Sequence, residues 1–341
     1  MEPTHEGMLI QNKIKFPTHQ IVWSPDSFSL AVVIPGNHVE IIKVRYTSKN
    51  PLQKFVSCID IDERVEMLGA AWLAKGKYLF TSGRIHLDSY PFYQGIFHLW
   101  DADTGDILTS QILNNYCGRL TPYKDEAESS WRFMLGFIYD VWANTNYKYG
   151  SLVDCHIVNY ESIIKECKDK LNINLSKSNY RIFFLSSELD CFAFAVKNEV
   201  YNIIKTFKNY NSKITDIKYS SHKEKIADMY WIPNSNNILS IDRSSIAHVW
   251  DYLTGKTISA YHQLYDYTKL RVSPNGKYVA IVERRSNAIY VCDIFSGKSL
   301  DVYHDHPQRF FKVYEIAWSP DCAYIASAAN DGYIHIWQVV T

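Results

Sequence analysis

IAWSPDCAYIASAANDGYIHIW, running from Ile316 to Trp337, is the stretch that decides the fold. Ile316 to Ser319 is an apolar run containing Trp318, and Pro320-Asp321 makes a turn. Tyr324 to Ala328 is small and compatible with a strand. Asn330-Asp331-Gly332 is a tight hairpin turn, in which glycine takes positive φ without steric cost. Tyr333 to Trp337 alternates large apolar residues with polar ones, as a half-buried strand does. The stretch therefore predicts three short strands joined by two turns. So small a unit cannot bury its own faces, so the chain is searched for copies of it.

Copies are present. IVWSPD at Ile21–Asp26, AAWLAKGK at Ala70–Lys77, MYWIPN at Met229–Asn234, LRVSPN at Leu270–Asn275 and AWSPD at Ala317–Asp321 each end a strand in a Pro, Gly or Asn turn. A second strand follows each: Leu30 to Ile34, Tyr78 to Ser82, Asn237 to Ile241, Tyr278 to Val282 and Tyr324 to Ala328. A further signature closes three of the units: FHLWDADTG at Phe97–Gly105, HVWDYLTG at His248–Gly255 and VCDIFSG at Val291–Gly297. Its recurrence marks a strand–turn–strand device. Asp101 and Asp103 are then turn residues and not half of a calcium loop, which would also need Glu where Ile112 stands.

These motifs resemble the WD-repeat β-propellers, whose blades carry a Ser-Pro-Asp-like turn after the first strand and a third strand ending in Trp-Asp. The resemblance is most specific in Ile316–Trp337, good in Ala227–Gly255 and Leu270–Gly297, fair in Ile21–Val44 and Ala70–Gly105, and poor between about 114 and 220. It implies an all-β chain, residues 1–341, forming a single β-propeller. The first-strand anchors Trp23, Trp72, Trp231, Val272 and Trp318 are spaced by roughly one repeat of ~40–45 residues, except for one long gap. Trp142 and Phe184 are placed in that gap. The result is seven four-stranded blades, with six or eight left open. The chain stops soon after a third strand, so residues 1–16, through Met8 to Phe16, are expected to supply the missing strand and close the ring on the C-terminal blade. Residues 84–94 and 114–130 are read as loop insertions.

Composition agrees with a globular β protein. The 341 residues are 47% hydrophobic and 21% charged, and 25 of them are Tyr, a residue suited to pleated surfaces. A formal net charge of +0 gives no reason to expect a nucleic-acid or membrane-surface partner. Seven scattered Cys without CxxC spacing read as free thiols in a reducing compartment. With no leader-like N-terminus and no long apolar run, the expectation is a cytoplasmic protein.

The catalytic signatures HExxH, GxSxG, GxGxxG and GxxxxGK[ST] are absent, so the chain is expected not to be an enzyme and to need no cofactor. His304-Asp305-His306 has zinc-like chemistry, but adjacent loop residues rarely converge on one ion, and no metal site is assigned. The resemblance instead implies a hydrogen-bonded bracing set, for which Asp331, Trp337, Ser327 and His306 (or His304) are the candidates. Ser at positions 244 and 286, where Asp is expected, implies that the other blades lack it.

The resemblance implies a non-catalytic scaffold that binds a protein or peptide through the rim carrying the second-to-third-strand turns and the inter-blade loops. On that rim, Tyr90, Phe92 and Tyr93 are candidate contacts. Arg84, Arg243, Arg284, Arg285 and Arg309 gather there too, suited to bidentate recognition of carboxylate or phosphate. Unless Asp88, Asp242, Glu283 and Asp305 neutralise them, the partner is acidic or phosphorylated. The alternative is a propeller hydrolase or lyase with a metal in the central opening, which needs inward-facing His and carboxylates. The Trp-Asp-x-Arg signature of ubiquitin-ligase adaptors is missing, because Asp103 and Leu253 stand at the Arg position.

Overall fold

The computed structural model describes residues 7–10, 18, 20–45, 52–59, 62–73, 76–88, 93–113, 120–127, 130–135, 139–146, 151–159, 180–185, 191–196, 199–205, 212–262, 267–304 and 312–339. Its strands in the N-terminal third are β1 (Gly7–Ile10), β2 (Gln20–Trp23), β3 (Ser29–Val33), β4 (His38–Arg45), β5 (Leu52–Ile59), β6 (Val65–Leu73), β7 (Tyr78–His86), β8 (Tyr93–Asp101) and β9 (Ile107–Leu113). The middle carries β10 (Leu120–Ala127), β11 (Ser130–Leu135), β12 (Tyr139–Asn146), β13 (Ser151–Asn159), β14 (Tyr180–Leu185), β15 (Cys191–Val196), β16 (Glu199–Lys205) and β17 (Ser212–Tyr219). Then follow β18 (Ile226–Trp231), β19 (Asn237–Asp242), β20 (Ile246–Asp251), β21 (Thr257–His262), β22 (Tyr267–Val272), β23 (Tyr278–Glu283), β24 (Ile289–Asp293), β25 (Ser299–Tyr303), β26 (Val313–Trp318), β27 (Tyr324–Ala329) and β28 (Ile334–Gln338).

Among the described residues these strands form seven four-stranded sheets. Six take four consecutive strands, and the seventh has the order β1-β28-β27-β26. β1 lies antiparallel on β28, with Gly7 opposite Trp337 and Ile10 opposite Ile334. The strands divide into two compact units: Met1–Val158 with Tyr303–Val340, and Asn159–Val302.

Within the first unit, sheets pack face to face through buried aliphatic side chains. Ala31, Val33, Val39 and Ile41 meet Val65, Met67, Ala70 and Leu79. Leu30, Val32 and Ile42 meet Ala326, Ala328, Ile334 and Ile336. The first-strand Trp anchors also bond between sheets: the Trp23 indole N–H donates to the Ala317 carbonyl at 3.1 Å, and Trp72 to Val22 at 2.9 Å. In the second unit Ile232, Leu239, Ile241 and Val249 pack on Leu270, Val279 and Ile281.

The two sequence signatures are two turn designs. In the Ser-Pro-Asp turn, Ser319 Oγ donates to Asp321 at 2.5 Å and accepts the Tyr324 N–H at 2.9 Å, while Asp321 accepts the Ala323 N–H at 3.0 Å. Ser24 with Asp26, and Ser273 with Asn275, repeat it. In the Asp-x-x-Thr/Ser-Gly turn, Asp251 accepts the N–H of Leu253 at 2.9 Å and of Thr254 at 2.8 Å. Gly255 then turns at φ 68 and donates back to the Asp251 carbonyl at 2.8 Å. Asp101 and Asp293 hold the same turn, which is the structural duty the repetition implied.

Two expectations in the weakly patterned stretch are corrected. Residues 114–130, read as a loop insertion, contain the strand Leu120–Ala127, the first of its sheet. Its ladder shifts register between Pro122 and Lys124 and again between Asp125 and Ala127. A proline, a charged run and two irregularities remove the alternation by which strands are recognised. Trp142 stands accordingly on a third strand, β12, and not on a first. Phe184 does stand on a first strand, β14.

Candidate functional site

In the second unit, the β18–β19 and β22–β23 turns lie side by side: a Cβ on Gly276 would come within 2.5 Å of the Pro233 carbonyl oxygen. The strands are antiparallel, so the β19–β20 turn with Arg243 and the β23–β24 turn with Arg284 and Arg285 share the opposite end. The loop 220–225 joins that end, since the Arg243 N–H donates to the Lys225 carbonyl at 2.9 Å. Lys223, Lys225, Arg243, Arg284 and Arg285 are all exposed there.

Of the carboxylates expected to neutralise this end, Asp242 is turned inward and Glu283 feels the Arg285 charge. Asp242 is buried, with one oxygen 3.2 Å from His222 Nδ1 and the other accepting the N–H of Ser244 at 2.9 Å and of Ile246 at 3.1 Å. Glu283 accepts the Ser286 N–H at 2.5 Å. Partial burial opposes its ionisation, but the Ser286 hydroxyl and N–H, with the Arg285 N–H and charge, hold its carboxyl below the usual range. Arg284 donates to the Tyr267 carbonyl at 3.1 Å, a bond that orients it. Among the described residues, Lys223, Lys225, Arg243, Arg284 and Arg285 share this end with Glu224, Glu283 and the buried Asp242.

Arg84, in the first unit, pairs across the ladder with Glu66 at 2.7 Å instead of with Asp88. His86 Nε2 lies 3.2 Å from the same carboxylate. The Arg84 guanidinium sits 4.6 Å from the Tyr93 ring centroid, and His86 meets that ring edge-on at 4.9 Å. Tyr93 is still 46% exposed. Arg84 is therefore a support for a surface aromatic. Tyr90, Phe92 and Arg309 lie outside the described residues.

The bracing set corrects the sequence reading. Among the described residues a complete set stands with the sheet β18–β21, where position 244 had argued against one. His222 Nε2 is 2.7 Å from Ser240 Oγ, which also accepts the Trp250 indole N–H at 3.0 Å. Ser240 then gives its own hydrogen to His222 Nε2, leaving the imidazole proton on Nδ1 toward Asp242. The bracing carboxylate stands at 242, inside β19, and not in the turn beyond it. A signal for it was present: Tyr219-x-x-His222 has the spacing of Tyr303-x-x-His306.

His248 stacks on His222 with ring centroids 4.0 Å apart, and its Nδ1 lies 2.7 Å from the Tyr219 hydroxyl. Burial, and then the charge of His222, push His248 down to about 4. Burial lowers His222 as well, against the raising effect of its bond to Asp242. Tyr303, at the end of β25, and His335 of the C-terminal sheet repeat the Tyr219–His248 bond at 2.9 Å, and Tyr303 stacks on Trp337 at 4.9 Å. Asp331 there bonds His335 Nε2 at 2.9 Å. Ser327 stands opposite His335, as Ser240 stands opposite His248. His306 is outside the described residues.

The family described as WD domain, G-beta repeat matches residues 297–338, the span that ends in this C-terminal sheet. That span is a WD40 repeat. WD repeat-containing protein 82 of Drosophila melanogaster is 32% identical over 76 residues, 22% of this chain and 24% of that protein, so the match spans about a quarter of the relative. Among solved structures, the C-terminal WD40 domain of Sif2 superposes with a TM-score of 0.64 at 11% identity, over 98% of this chain and 99% of that one. The β-propeller domain of Myceliophteria thermophila Cps50 (Swd1) gives 0.62 at 13% identity, over 99% of both chains. A chain of the mitotic checkpoint complex gives 0.63 at 14% identity, over 99% of this chain and 95% of that one. The chain has the fold of the WD40 β-propellers. Among the described residues no helix is long and apolar enough to cross a membrane.

Proposed function

We propose that the chain is a non-catalytic protein-interaction scaffold and that the partner presents an acidic or phosphorylated segment. WD40 propellers generally act as such scaffolds, and a chain of the mitotic checkpoint complex is among the similar structures. The observation that carries the reading is the basic end of the second unit. There Arg243, Arg284 and Arg285 stand exposed while Asp242 is turned inward to His222. Exposed guanidinium groups suit bidentate recognition of anionic groups. Tyr93, braced by Arg84 and His86, offers a second and apolar contact, with Tyr90 and Phe92 beside it in the chain. A ring already fixed in place loses little freedom on binding.

The test is affinity capture with mass spectrometry, comparing the wild-type chain with R243E/R284E/R285E. The triple variant is expected to lose a partner that the wild type retains at low salt and releases at high salt, while its thermal midpoint stays within a few degrees. An unchanged partner list removes the reading.

A further inference from the structure

The loop 220–225 is fastened to the basic end at two points. One is the bond from the Arg243 N–H to the Lys225 carbonyl, and the other is His222 on Asp242. Between these points the loop presents Lys223 and Lys225 next to Arg243. The fastening histidine is stacked on a second one, His248, itself tied to Tyr219. Among the described residues, the titratable groups bonded to or facing the pair are Asp242 from β19 and Tyr219 from β17. Ser240 and Trp250 complete the bonded set, and Thr257 holds Tyr219 from the far side at 2.9 Å. Burial holds both rings toward their neutral forms, against the pull of the one carboxylate that faces them.

We propose that the loop 220–225 is an acid-released latch that delivers Lys223 and Lys225 to the anion-binding end of the second unit. This deepens the reading above and rests on it for the identity of the ligand. Lifting the loop takes His222 off Asp242 and uncovers His248, and both rings can then take protons in water. A group whose folded pKa is depressed draws the equilibrium toward the open form as pH falls below its free value. With His248 held down to about 4 when closed and rising toward the free value of ~6.5 when open, opening is more frequent at pH 5 than at pH 8. His222 acts in the same direction.

Two measurements test this on the intact chain. The first is hydrogen exchange at the Arg243 amide, corrected for the intrinsic pH dependence of exchange. The opening constant is expected to rise at least several-fold from pH 8 to pH 5, and to rise much less in His248→Gln. A pH-independent constant in the wild type overturns the latch, whatever the variant does. The second is binding of fluorescent octaglutamate, and of a peptide bearing two phosphoserines, at pH 8. K223A/K225A should weaken one or both at least several-fold; equal affinity overturns the assignment of the two lysines. If the wild type binds neither peptide, the basic-end reading fails, and the exchange result still decides the latch.

Discussion

Ser240 shows how much one hydroxyl holds. It is fully buried, accepts the Trp250 indole N–H, and donates to the His222 ring that braces Asp242. Ser240→Ala strands a buried indole N–H and one imidazole nitrogen at once. Each buried group left unpaired costs about 1–3 kcal/mol, so the variant is expected to lose roughly 2–4 kcal/mol in denaturant unfolding. Its thermal midpoint falls in step, and a loss under ~0.5 kcal/mol would show that the network contributes nothing. The buried imidazoles set a sign for pH. His222 and His248 are both depressed below the ordinary histidine range, so their neutral forms belong to the folded state. That contribution is complete above pH ~6.5 and is lost as pH falls toward the folded value of His248, about 4. Stability of the wild-type chain is therefore expected to fall between these limits, and the fall should be shallower in His248→Gln, as unfolding curves at pH 7.5 and 5 will show. The set was half legible in the sequence. Trp250 and Ser240 sat at repeat positions, but the acid was sought in the hairpin turn, at 244. In the structure Asp242 ends its strand and faces inward, and only the matching Tyr-x-x-His spacing in the preceding segment pointed to it.

At the scale of the element, the turns were the most legible part of the chain. A Ser-Pro-Asp turn is a local device: the hydroxyl and carboxylate bond backbone groups within five residues, so residue type and spacing define it without help from the rest of the fold. The same holds for Asp293, which accepts the N–H of Phe295 at 3.1 Å, the N–H of Ser296 at 2.8 Å and the Ser296 hydroxyl at 2.7 Å. Asp293→Ala removes all three acceptor bonds from an exposed turn. The expected cost is about 1–2 kcal/mol, with hydrogen exchange accelerating first in β24 and β25; equal exchange there would deny the carboxylate its turn-holding role. Gly276 is a stronger case. It turns at φ 69, and a Cβ there would meet backbone oxygen of the neighbouring sheet at 2.5 Å. Gly276→Ala should cost more than Asp293→Ala, because backbone cannot step aside as a side chain can. The strand Leu120–Ala127 was illegible for the opposite reason. Its pairing partner, β11, and not its own alternation, makes it a strand, and Pro122 with Lys124, Asp125 and Glu126 reads locally as loop. Arg84 likewise finds Glu66 through the β6–β7 register, whereas local spacing offered Asp88.

The repeat is a property of the whole molecule, and it survives at the sequence level only where side chains bond or pack between sheets. Trp23 and Trp72 keep their places because their indoles reach the neighbouring first strand; in the span 114–220 the sequence motif is weak, and the repeats there were placed by spacing. The C-terminal sheet takes three of its strands from consecutive sequence and its fourth from a distant segment. Gly7–Ile10 occupies that position on β28, with Met8 opposite Ile336 and Leu9 opposite His335. Without it, the backbone of Ile334–Gln338 becomes an open edge, and an apolar edge invites pairing with other chains. Removing residues 1–10 should therefore act in two ways. The amides of β28 should lose exchange protection ahead of those in β18–β25, which belong to other sheets. The shortened chain should also associate as its concentration rises, visible as a growing sedimentation coefficient, because the edge it exposes carries Ile334 and Ile336 on alternate positions. A truncated chain that stays monomeric and unfolds as the full chain does would mean that β1 adds nothing to the C-terminal sheet. Loss of protection in β28 alone, with β18–β25 unchanged, is the outcome the pairing requires.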